Sequence, residues 1–93
     1  MDQQTNIANL ETLPNQLKSI LEAILFVSSE PITIEQFCQV LEGVSPKRIK
    51  DELAKLAEEY QESGRSFQLT EIANGYQINT HPEYHDWVSK FHT

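Results

Sequence analysis

The stretch FQLTEIANGYQINT, residues 67–80, decides how this chain is read. Phe67, Leu69 and Glu71 alternate with their neighbours, as do Tyr76 and Ile78 further on, and a period of two is the mark of a strand. Between them Asn74-Gly75 is the dipeptide favoured in a two-residue type I′ turn. A turn centred there pairs Ala73 with Tyr76 and Glu71 with Ile78. Phe67, Leu69, Tyr76 and Ile78 then share one face, and Ile72 points to the other. Glu71 falls on the apolar face, a mismatch that a bulge near it would relieve. Two strands alone are marginal in water, so this hairpin needs helices to lie against.

Helical patterns flank it on both sides. Upstream, Ser45-Pro46 is a cap followed by proline in the first turn. Ile49, Leu53, Leu56, Ala57 and Tyr60 then run down one face to Gly64. Glu52, Lys55, Glu58, Glu59 and Glu62 form the wet side. Downstream, Pro82 starts a last helix with Thr80 or His81 as cap. Tyr84, Trp87, Val88 and Phe91 match the i, i+3, i+4, i+7 template of a buried face, with part of this helix free to face a further domain. Further upstream, Thr33 and Gln36 have capping-box spacing, with Ile32 and Phe37 placed as a hydrophobic staple. Ile34, Phe37, Cys38 and Leu41 make the inner face of that helix, and Gly43 closes it. Before it, Leu17, Ile20, Leu21, Ile24 and Leu25 trace another helix from Gln16, with Asn15 as cap, ended by Pro31. Residues 1–15 are polar and without period. They read as a flexible tail, with Leu10 and Leu13 able to touch the body.

The order is helix, helix, helix, hairpin, helix. This is a mainly α fold with a small β-hairpin, the winged helix-turn-helix pattern, over residues 16–93. The third helix takes the recognition position and the hairpin is the wing. The chain has 93 residues, which suits one such domain. Its net charge of −7, from fourteen acidic and seven basic residues, works against phosphate backbones and anionic membranes. No apolar run approaches the roughly 20 residues of a membrane span. With one cysteine and no secretory signal, a reducing cytoplasm is expected.

Residues 17–32, LKSILEAILFVSSEPI, resemble the opening of the bacterial segregation and condensation protein B family, with Ser29 where glycine is expected. Leu53-Ala, Leu56-Ala-Glu-Glu-Tyr60, Gly64-Arg65, Gly75-Tyr-Gln-Ile78 and Pro82-Glu-Tyr84 continue the likeness over residues 16–92. The resemblance implies a homodimer of chains with two tandem winged helices. It also implies a partner, the kleisin segregation and condensation protein A, and through it the SMC complex. The implied role is chromosome condensation and segregation, at the nucleoid and without catalysis. By that pattern, stopping at Thr93 leaves out a second winged helix and much of the kleisin contact. Dimerisation is then the activity expected of this part. A DNA-binding winged-helix regulator is the alternative.

Two surfaces are candidates for function. At about 100° per residue, Leu17, Ile20, Leu21, Ile24 and Ser28 gather on one side of the first helix. Phe26 falls nearly opposite, with Ala23 and Val27 toward its flank. Either the wing or last helix of the same chain covers Phe26, or a second copy does; the resemblance favours the second copy. Ala23, Phe26 and Val27 are therefore the candidate dimer surface. Lys47, Arg48 and Lys50 begin the third helix, where cations oppose the helix dipole. They are ordinary solvated charges or a cluster facing an acidic partner. DNA binding is not expected of them, because acids follow on the same helix and the wing tip Ile72–Tyr76 has no cation. His81, His85 and His92 lack a familiar ligand spacing, so no metal or cofactor is expected. Cys38 reads as a small buried hydrophobe, with no histidine placed to activate it.

Overall fold

The computed structural model describes residues 14–93, with side chains from Gln16 onward. The expected tail of residues 1–15, with Leu10 and Leu13, lies almost wholly outside the described residues. Helix α1 spans Pro14–Val27. It therefore starts two residues earlier than expected: Asn15 is helical, not the cap, and proline stands at the helix start, where its missing N–H costs nothing. A two-residue strand β1, Ile32–Thr33, leads into α2, Ile34–Val40. Next come α3, Pro46–Glu62, then β2, Phe67–Ile72, and β3, Gly75–Thr80. A short 3₁₀ turn, Pro82–Tyr84, precedes α4, His85–His92. This is the expected winged-helix order with one added strand.

Local chemistry starts the helices where expected. The Gln36 amide donates to Thr33 Oγ1 at 3.1 Å, and the Thr33 amide donates to Gln36 Oε1 at 2.9 Å, closing the capping box. Ser45 Oγ accepts from the Arg48 amide at 3.1 Å, with Pro46 in the first turn of α3. The core gathers Leu17, Leu21 and Leu25 of α1, Phe37 of α2, and Ile49, Leu53, Leu56 and Tyr60 of α3. Phe67, Leu69, Tyr76 and Ile78 of the hairpin pack on it from one face, as the alternation implied.

The hairpin differs from its expected register in an instructive way. Ile72 pairs with Gly75, Glu71 with Tyr76 and Leu69 with Ile78. The turn is therefore Ala73-Asn74, both at positive φ (50° and 64°). Both strands shift by one residue in opposite senses, so the inward set is unchanged. The ladder runs unbroken from Phe67 to Ile72 without a bulge. The turn moves because Gly75 has another task. It pairs with Thr33 of β1, and a Cβ there would lie 2.9 Å from Pro31 Cβ and 3.1 Å from the Ile32 backbone. Glycine is required for close approach, not for a left-handed turn. Gly75→Val is expected to destabilise the domain by about 1–3 kcal/mol, the usual cost of overpacking. Urea unfolding checks this, and an unchanged midpoint would mean that β1 is not held against β3.

Three further expectations are corrected. Glu52, assigned to the wet side of α3, is only 1% exposed. Arg48 and Lys55 fold over it from one turn on either side, so its charge is compensated at depth. Cys38 is half-buried instead of enclosed. The face Tyr84, Trp87, Val88 and Phe91, expected in the core, is not there. Phe91 is 84% exposed and Trp87 68%, and only Val88 is partly covered. The chain turns at Pro82 and carries α4 off the end of the sheet, where it packs mainly on the 3₁₀ turn before it.

Candidate interaction surface

The outward face of α1 carries an uncovered apolar patch. Leu17, Leu21 and Leu25 repeat every four residues and go inward, so the residues beside Leu25 are driven out. Phe26 is 71% exposed and Val27 83%, with Ala23 exposed a turn earlier. Neither the wing nor α4 covers Phe26, the two intrachain options. A patch of this kind on a small domain is the usual sign of an interaction site.

Phe26 lines a groove of about 490 Å³ together with Ser19, Glu22, Ala23, Val27, Tyr60, Arg65 and Phe67. The groove is held rigid by a short chain of contacts. Tyr60 Oη donates to Glu22 Oε2 at 2.5 Å, tying α3 to α1 across 38 residues of sequence. The Tyr60 ring meets Phe67 edge-on at 4.9 Å, and the Arg65 guanidinium lies over Phe67 at 5.7 Å. Burial, and then the hydrogen bond to Glu22, push the Tyr60 hydroxyl far above its ordinary range. It therefore remains a donor at any physiological pH. Pattern reading missed these groove residues. Glu22, Tyr60, Arg65 and Phe67 lie on three segments, and no local spacing signals that they meet.

The candidate basic residues lie together at the start of α3, but they are not equally available. Lys47 Nζ is 3.0 Å from Asp51, and Arg48 Nη1 is 2.7 Å from buried Glu52. Lys50 is exposed and lines a cleft of about 600 Å³ with Glu35, Cys38, Asn74 and Tyr76. Two of the three cations thus face carboxylates one turn along the same helix. The exposed Lys47–Asp51 pair contributes little to stability, but both pairs lower the net charge a phosphate backbone would meet. The tip of the hairpin adds no cation.

The histidines are dispersed. The His81 amide donates to the Ser66 carbonyl at 2.8 Å, the His85 ring lies 3.3 Å from Ser89 Oγ, and His92 packs beside Phe91. Among the described residues no three His, Cys, Asp or Glu side chains gather as a metal site would require, and no helix is long and apolar enough to cross a membrane.

Comparison with known proteins places this geometry. The profile of the family described as segregation and condensation complex subunit ScpB matches residues 19–93. Segregation and condensation protein B of Syntrophotalea carbinolica is 41% identical over 78 residues, covering 84% of this chain and 39% of that protein. The chain spans about two fifths of the length of the curated relatives it matches. Among solved structures, ScpB from Mycobacterium tuberculosis shares the fold, with a TM-score of 0.77 at 24% identity, over 84% of this chain and 48% of that one. A dimer of a ScpB N-terminal domain complexed with a ScpA peptide matches with a TM-score of 0.76 at 28% identity. The match covers 85% of this chain and 98% of that one.

Proposed function

Because the chain belongs to the ScpB family of segregation and condensation complex subunits, we propose that it is a dimerising winged-helix unit of a kleisin-binding subunit. In this reading residues 16–93 pair with a second copy through Ala23, Phe26 and Val27. The pair presents a surface to the kleisin ScpA, and so joins the SMC complex at the nucleoid during chromosome condensation and segregation. The unit contributes binding and no chemistry. One observation carries this reading. The apolar face that the fold leaves uncovered belongs to a domain matching nearly the whole of a relative that is a dimer with a ScpA peptide.

Sedimentation velocity across concentrations tests it. The chain is expected to be a dimer at micromolar concentration, and Phe26→Glu to weaken association at least tenfold. A carboxylate at that position would have to be desolvated without a partner. Phe26 is largely exposed, so the variant should keep its helical circular dichroism. A wild-type chain that stays monomeric at high micromolar concentration overturns the proposal. The regulator alternative is tested in parallel by anisotropy of a labelled duplex. Tight binding that weakens steeply with salt and is lost in Lys47→Ala with Lys50→Ala, both exposed, would favour it.

A further inference from the structure

We propose that α4 is an exchanged arm: in the dimer, Trp87 and Phe91 of one protomer enter the groove beside Phe26 of the other. The inference rests on the self-association proposed above and names the contact that makes it.

The first argument is the state of α4 itself. It has eight residues, well below the roughly 12–15 at which an isolated helix becomes even marginal in water. Helices that short persist by packing a face, and this one buries no residue. Its apolar stripe is nonetheless intact: Trp87 and Phe91 lie one turn apart and are both exposed. Lys90 covers one side of the Trp87 ring at 4.9 Å, which leaves the other side and Phe91 bare. The stripe is thus organised for a contact that its own chain does not supply.

The second argument is the groove. Its volume of about 490 Å³ falls within the roughly 300–1,000 Å³ of ligand clefts, so it has room for a large side chain. Ala23, Phe26, Val27, Tyr60 and Phe67 make most of its lining apolar, and aromatic pairs there gain edge-to-face contacts. Ser19, Glu22 and Arg65 also line it, so the groove includes one acid and one base. The arm carries Asp86 and Lys90, one acid and one base at i and i+4, flanking Trp87. Arm and groove are therefore both largely apolar, and each carries an acid and a base that an opposite charge can meet. The exchange is also self-complementary, as a two-fold dimer requires: each protomer offers one arm and one groove, and both are filled.

Trp87 is the chain's one tryptophan, so it reports on the contact directly. Its emission should move to the blue as concentration rises through the dimerisation range. Phe91→Glu removes the arm and Phe26→Glu the groove, each at an exposed position that the monomer fold does not need. Each variant alone should associate at least tenfold more weakly than wild type. Mixed, they should form a heterodimer, because one intact arm then meets one intact groove. Three results overturn the inference while leaving self-association in place. Phe91→Glu could dimerise like wild type, the mixture could fail to associate, or blue emission could be independent of concentration, which would mean that the arm docks within its own chain. A wild-type chain that never dimerises would overturn both proposals.

Discussion

Phe37→Ala is expected to lower the free energy of unfolding by about 3–5 kcal/mol, the range for truncating a buried aromatic. Phe37 is fully buried, at the fourth position of α2, in the same cluster as Leu17, Leu21, Ile49 and Leu53. Two causes add. The ring's transfer energy is lost, and the void left among three helices closes only in part. A domain has about 5–15 kcal/mol in total, so the variant should lose a large share of its stability and unfold at a clearly lower urea concentration. Phe26→Ala is the informative contrast, because it makes the same chemical change where the ring is largely exposed. Measured by urea unfolding at low concentration, where association adds nothing, it should cost within about 0.5 kcal/mol. Equal losses in the two variants would place Phe26 in the core and remove the candidate surface.

The second large effect concerns a charge. Arg48→Met is expected to cost about 3 kcal/mol, near the low end for breaking a buried ion pair. Glu52 is held at 2.7 Å by Arg48 and more loosely, at 3.4 Å, by Lys55. Removing the guanidinium leaves a carboxylate inside the protein with one partner that is itself mostly in water. Lys55 recovers part of the loss, which is why the low end applies. Replacing both members, Arg48→Met with Glu52→Leu, should restore most of the stability, since an apolar pair needs no compensation. If the single variant is as stable as wild type, Glu52 is reaching solvent. The prediction also bears on function. An arginine that holds a buried acid is not free to meet phosphate, although it occupies the end of the helix that reads DNA in many winged helices.

Much of the fold was legible because it is written locally. Thr33 and Gln36 are three residues apart, and Ser45 adjoins Pro46. Each signal acts within one helical turn, so sequence spacing is spatial spacing. The same holds for the hairpin, whose inward residues Phe67, Leu69, Tyr76 and Ile78 follow from alternation alone. Even the misplaced turn left them inward, since a shift of one residue in each strand preserves the faces. The family likeness rests on such short pieces taken in order. Of the candidate surface, Phe26 was legible as the residue opposite an apolar stripe, because angle along a helix is set by residue number.

The rest depended on what packs against what. Strand β1 is too short to alternate, and it exists because β3 offers it a partner. Gly75 looked like a turn residue until Pro31 and Ile32 were seen beside it. Glu52 looked solvated because its position on the wheel says nothing of the two cations folding over it. The groove joins Glu22, Tyr60 and Phe67, whose separations in sequence only chain folding can close. The clearest case is α4. Its i, i+3, i+4, i+7 pattern states that a face is to be covered, and that much is a property of the residues. Whether the cover comes from the same chain is a property of where Pro82 sends the helix, and the tertiary structure sends it away from the core.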